Sequence, residues 1–176
     1  MNIYTEYLIE QLQFTGAESF SNSSIKTKLS LNHPCKELIW TFQLDANVAS
    51  NVNRYTDYTD AGGSGIAYSG NDTVSTAKLQ LNGNDRFSVR NGSYFNLVQP
   101  YQCHTRIPNT GIYVYSFSLN PEAHQPSGSV NMSRIDNATL ILDMTTGNAA
   151  GKLYVYAVNY NILRIMAGMG GLAYSN

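Results

Sequence analysis

The chain has 176 residues, 43% of them hydrophobic and only 13% charged, with a net charge of −1. Soluble domains carry about a quarter charged residues, and the scattered Lys and Arg here form no run that would neutralise a row of phosphates, which excludes direct nucleic-acid binding. No apolar run reaches the ~20 residues of a membrane helix, no signal-peptide pattern is read, and two cysteines, Cys35 and Cys103, are too few for a disulfide framework.

In chain order, residues 4–14 are ambiguous between extended chain and helix. Ile25, Thr27, Leu29 and Leu31 then alternate with Lys26, Lys28 and Ser30, the mark of a half-buried strand with one wet face. After a turn at Asn32-His33-Pro34, Leu38, Trp40, Phe42 and Leu44 alternate with Ile39, Thr41 and Gln43. Residues 47–75 are polar and rich in Asn, Tyr and Gly, with a flexible tip at Gly62-Gly63-Ser64-Gly65; a loop of this length is usually functional or mobile. Ala77, Leu79 and Leu81 make the next strand, closed by the turn pair Asn82-Gly83. Gly92 interrupts residues 85–101, where a helical turn or two near 94–99 is expected to end at Pro100. Tyr113, Tyr115, Phe117 and Leu119 share one strand face and Ile112 and Val114 the other. Leu140, Leu142 and Met144 form a strand that Thr146-Gly147-Asn148 closes, Leu153, Val155 and Ala157 oppose Tyr154, Tyr156, Val158 and Tyr160, and residues 162–166 form a further short run. About seven strands without long helices predict an all-β sandwich or barrel. Leu29, Leu38, Trp40, Phe42, Leu79, Leu81, Phe117, Leu140, Leu142 and Val155 are the expected core. The 13 tyrosines suit strands and interfaces, and a low-charge surface of Asn, Ser, Thr and Gly suits a protein that packs against copies of itself.

No motif carries chemistry. Residues 120–128 hold Glu122, His124 and Ser127, but Pro121 and Pro126 make a rigid connector and encode no nucleophile–base geometry. Gln125, Pro126, Ser127 and Gly128 are therefore read as shaping a loop that places Arg134 and Asp136 for packing, the two paired within the loop or across a subunit boundary. His33 and His104 with Cys35 and Cys103 match no zinc spacing; both cysteines are read as free thiols, and no metal or other cofactor is expected. Gly168-Met169-Gly170-Gly171 lacks the strand–loop–helix frame of a phosphate loop and is read as a tight turn. Sequons occur at Asn22, Asn71, Asn91, Asn131 and Asn137; Asn71, Asn22 and Asn91 are the candidate glycosylation sites, Asn71 foremost because it sits in the long polar loop.

Four collinear stretches carry a resemblance: EYLIEQLQFTG (6–16), LNHPCKELIW (31–40), YSFSLNPEAHQPSGSVNMSRID (115–136) and VYAVNYNILRIMAGMGGLAYSN (155–176), with LQLNGNDRF and YFNLVQPYQCHTRIPNTGIYVYSFSL between them. Together they closely resemble the major capsid proteins of nucleocytoplasmic large DNA viruses, such as chloroviruses, iridoviruses and mimivirus relatives. The family fold has two tandem jelly rolls, and three copies form a pseudo-hexagonal capsomer that tiles an icosahedral shell. The resemblance implies that residues 1–176 are the second, C-terminal jelly roll, with 1–23 as an entry segment and the first jelly roll absent, as in a fragment or, less simply, a split gene. It implies a non-enzymatic virion subunit assembled in the host cytoplasm. Its partners would be two further copies, neighbouring capsomers and minor capsid proteins, with an apolar patch left bare on the isolated chain. The alternative is a carbohydrate-binding jelly-roll module, against which Trp40, the only tryptophan, falls among core residues.

Overall fold

Alternating strands have one apolar face each, and the simplest way to bury such faces is to stack two sheets. The computed structural model describes residues 4–62, 66–145, 147 and 150–174. In chain order the elements are β1 (Tyr4–Phe20), β2 (Ser24–Leu29), β3 (Pro34–Leu44), α1 (Asp45–Val48), β4 (Val74–Leu81), β5 (Asn84–Asp85) and β6 (Arg90–Asn91). A π-helical turn (Tyr94–Val98) then runs into α2 (Gln99–Cys103), followed by β7 (Ile112–Ser116), β8 (Val130–Asn131), a 3-10 turn (Met132–Arg134), β9 (Ala138–Met144), β10 (Gly151–Met166) and β11 (Met169–Leu172). One sheet has the order β1-β10-β3-β7, with β11 beside β10 and β8 beside β3; the other has β2-β9-β4-β5, with β6 beside β4. Every pairing is antiparallel.

The core lies between the sheets. Leu38, Trp40 and Phe42 of β3 and Leu153, Val155 and Ala157 of β10 face Ile25 and Leu29 of β2, Ala77 and Leu79 of β4 and Leu140 and Leu142 of β9, all buried. Eight of the ten expected core residues are therefore fully enclosed, while Leu81 and Phe117 pack against the core only partly buried. The turn expectations hold at Asn32-His33-Pro34, where His33 has φ 66°, and at Asn82-Gly83, whose φ values of 51° and 82° fit the type I′ turn of the β4–β5 hairpin. Gly168 turns as expected too, with Ala167, between β10 and β11. Thr146 and Asn148 of the expected strand-closing turn, and Gly63, Ser64 and Gly65 of the loop tip, lie outside the described residues.

The fold settles one open reading and corrects four expectations, five points in all. Residues 4–14 belong to a 17-residue strand, paired with β10 along its length apart from a bulge between Phe14 and Ala17. Residues 162–166 are not a separate strand but the end of the 16-residue β10. The buried Asn159 and Asn161, which look like breakers in an apolar run, find long-range acceptors for their amides: they donate to Gln13 Oε1 (3.3 Å) and Gln11 Oε1 (2.8 Å) across the β1 ladder. Pro100 does not end the helix. It sits in the first turn of α2, where its missing N–H would be unpaired in any case, after a wide turn in which the Gln99 amide bonds back to Tyr94. Leu119 leaves the core face and is 83% exposed. The strand stops at Ser116 because the Ser116 hydroxyl bonds the Ser118 carbonyl (2.6 Å) and accepts from its amide (3.1 Å), a local turn that competes with the ladder.

The fifth concerns the long loop. Its polar make-up suggests solvent, yet Asn47, Asp57, Thr59 and Thr73 are buried. Asn47 Nδ2 donates to the Asp57 and Thr59 carbonyls, at 3.1 and 3.0 Å. The Asp57 carboxylate accepts from the Thr59 amide (3.1 Å), the Thr59 hydroxyl (2.7 Å) and the Tyr68 amide (2.8 Å). Burial pushes this carboxyl upward, but those donors, with Arg54 nearby, outweigh it and hold it below the usual carboxylate range. Because its folded value is depressed, the stability it contributes is present above about pH 4, the usual Asp value, and is lost as pH falls through the lower folded value. Asp57→Asn is expected to cost about 1–3 kcal/mol at neutral pH and less at pH 3, as measured by urea unfolding at the two pH values.

Candidate assembly surface

The outer face of the larger sheet is apolar where water would be expected. Since Leu153, Val155 and Ala157 point inward, Tyr154, Tyr156 and Val158 point out. Register places Leu12 opposite Val158, Phe14 opposite Tyr156, and Tyr156 opposite Ile39. Phe14 stacks on Tyr156 at 4.8 Å and on Tyr154 at 6.1 Å. Leu12 is nonetheless 64% exposed and Phe14 46%. A contiguous aromatic and aliphatic strip of this kind marks a surface that another body covers.

An ion pair and a histidine–carboxylate hydrogen bond border the strip. Between Glu37↔Val158 and Cys35↔Asn159 the register skips, so Lys36 is the extra residue of a β-bulge. The bulge sends its side chain along the sheet surface to Glu10 Oε1 at 2.5 Å, with the ammonium 5.6 Å from the centre of the Tyr160 ring. On the other side His104 Nε2 lies 2.8 Å from Glu37 Oε2. These partners were missed in the sequence because Lys36 and Glu10 are 26 residues apart and Glu37 and His104 67 apart. Burial pushes the Cys35 thiol up to about 12, and it donates to the Glu37 carbonyl at 3.2 Å; it is the small hydrophobe that its place at a strand start suggests. Cys103 is also a free thiol. His33 and His104 serve different neighbours, and among the described residues no three His, Cys, Asp or Glu side chains gather as a metal site.

The 117–136 connector is built on Ser127 and Gly128. The Ser127 hydroxyl accepts from the Asn120 amide (2.9 Å), meets the Ser118 hydroxyl (2.6 Å) and donates to the Asn120 carbonyl (3.3 Å). Gly128 has φ 134°, and a Cβ there would stand 2.9 Å from the Phe117 carbonyl oxygen, so only glycine fits. Gln125 and Pro126 are exposed. Arg134 and Asp136 are exposed as well and form no ion pair with each other; the segment is docked instead by Ser133, whose hydroxyl accepts from the His33 amide at 2.8 Å. The sequon residues Asn22, Asn71, Asn91, Asn131 and Asn137 are all exposed. Asn91 Oδ1 is engaged by the Ser93 amide and hydroxyl and Asn131 Oδ1 by the Ser133 amide, whereas the Asn71 side chain bonds no described residue.

This chain matches known proteins over nearly its whole length. The family model for the large eukaryotic DNA virus major capsid protein matches residues 2–171. The major capsid protein of Phaeocystis pouchetii virus is 46% identical over 97% of this chain and 49% of its own length. That of Paramecium bursaria Chlorella virus 1 is 43% identical over 97% of this chain and 49% of its own. The solved structure of VP54 from PBCV-1 superposes with a TM-score of 0.80 at 37% identity, covering 99% of this chain and 52% of that one. The sandwich is thus a jelly roll of the capsid-protein type, and the chain spans about half the length of the curated relatives it matches. With the fold and nearly every residue aligned, the chain belongs to the large eukaryotic DNA virus major capsid protein family.

Proposed function

We propose that this chain is the second of two tandem jelly rolls in a structural subunit that trimerises into pseudo-hexagonal capsomers of an icosahedral virion shell. The observation that supports the reading is the superposition on VP54, which takes in 99% of this chain but 52% of that one; VP54 has about as much chain again outside the match, and in this reading a like body covers the strip. Three-fold closure makes each contact heterologous: one patch must fit a different patch on the neighbour. Obligate interfaces of this kind bury roughly 2,000 Å² or more and are apolar, which suits the exposed Leu12 and Phe14. The shell is built in the host cytoplasm, and the remaining partners are neighbouring capsomers and minor capsid proteins. Gln125, Pro126, Arg134 and Asp136 present an exposed connector to them, shaped by Ser127 and Gly128. The subunit performs no catalysis and needs no cofactor. Of the sequons, Asn71 is the best glycan acceptor, since its side chain is exposed and unengaged, with Asn22 and Asn91 after it.

Sedimentation of the full-length protein at micromolar concentration is expected to give a trimer; a monomer would overturn the proposal. Deleting residues 60–70 is expected to leave the trimer intact, because the polar, Gly-rich make-up of this loop suits solvent rather than an apolar interface. It should lower stability modestly, as Asp57 loses the Tyr68 amide. Loss of the trimer with the fold retained would show that the loop is part of the interface.

A further inference from the structure

A cleft of about 470 Å³ lies at the end of the sandwich where β4 and β7 begin and β9 ends. We propose that it binds a neutral carbohydrate. Its polar lining includes Asn71, Asp72, Ser75, Asn96, Thr110 and Thr145, and Val74 and Leu97 contribute to its apolar part. No Lys, Arg or His lines it, so nothing there would hold a phosphate, a sulfate or an acidic sugar.

The polar groups are fixed by the fold yet left with capacity to spare. Asn96 is 3% exposed; both its amide bonds are spent on the Asn109 and Ile112 carbonyls (3.0 and 2.8 Å), and its carbonyl oxygen has no partner among the described residues. Asp72 Oδ1 accepts from the Gly111 amide and the Tyr113 hydroxyl, each at 3.3 Å, leaving Oδ2 open. The hydroxyls of Ser75, Thr110 and Thr145 also have no partner among the described residues. The wall is pinned by the Asp60 amide on the Asn71 carbonyl (3.0 Å) and the Asn71 amide on Asp60 Oδ1 (2.5 Å). Each sugar hydroxyl both donates and accepts. Each need is met by a preorganised ring of one carboxylate oxygen, a buried amide oxygen and three hydroxyls, with no cation in it and with an anion, Asp72, that repels acidic ligands. The volume lies in the range of small-molecule sites, roughly 300–1,000 Å³, far larger than an ion requires.

Two sources would supply such a ligand: a free glycan, or a glycan linked to this protein, since the sequon residues Asn71 and Asn91 both stand on the rim. Saturation-transfer NMR on the full-length assembly, with glucose, galactose, mannose and N-acetylglucosamine as probes, separates them. Transfer to a hexose with the unaltered protein, reduced at least five-fold in Thr110→Val/Thr145→Val, supports a free-glycan site; these hydroxyls hold nothing in the fold, and an unchanged melting curve confirms that the variant is folded. Transfer seen only after Asn71→Gln/Asn91→Gln supports a linked glycan that already fills the cleft. No transfer to any of the four probes in either protein overturns the proposal. So does transfer that survives the double valine substitution, or equal transfer to sialic acid.

Discussion

Trp40→Ala is expected to lower the unfolding free energy by about 3–5 kcal/mol, the range for emptying a large aromatic site in a packed core. Trp40 is 1% exposed, and its ring lies 5.2 Å from Phe95 and 6.1 Å from Tyr113, so it joins the larger sheet to the helical segment as well as to its own strand neighbours. One feature reduces the loss: the indole N–H is buried with no partner among the described residues, and an unmade hydrogen bond of this kind costs about 1–3 kcal/mol. Phenylalanine removes that donor while keeping most of the ring. Trp40→Phe should therefore lose far less than Trp40→Ala. Equal losses in urea melts of the two variants would show that the N–H is satisfied by water and that indole shape alone matters.

The second large effect separates the two members of one ion pair. Lys36 is 2% exposed and Glu10 34%. Removing the carboxylate leaves an ammonium held against the sheet with, among the described residues, no ion-pair partner and the Tyr160 ring beside it, and stranding a buried charge costs about 3 kcal/mol or more. Removing the ammonium leaves a carboxylate that water already reaches. Glu10→Ala is thus expected to destabilise by about 3 kcal/mol. Lys36→Met, which keeps the aliphatic stem that packs along the sheet, should stay within about 1 kcal/mol. The test is a pair of chemical melts; a larger loss for Lys36→Met would mean that the bulge geometry depends on the charge itself.

What the sequence determined by itself were the features that depend on near neighbours. Period-2 alternation placed β2, β3, β4 and β9 and chose their inner faces, because one-sided burial of a strand writes itself directly into every second residue. Asn82-Gly83 announced its hairpin because both residues tolerate positive φ. Collinear blocks along the chain carried the family.

Only the tertiary structure decided the rest, and the reason is common to each case: a polar residue's place depends on a partner far along the chain. Asn159 and Asn161 continue β10 because Gln13 and Gln11, 146 and 150 residues away, receive their amides. Asn47 and Asp57 are buried because the loop folds onto its own carbonyls and amides. Lys36 lies flat because a bulge turns it toward Glu10. Arg134 and Asp136, two residues apart, look like a pair but do not meet within this chain, where Ser133 docks their segment through His33. The apolar strip needed β1 to be a strand, and β1 is a strand because β10 is there to pair with it. Alternation specifies which face of a strand is buried, but hydrogen-bond satisfaction across the sheets specifies which polar residues join it and how far each strand runs.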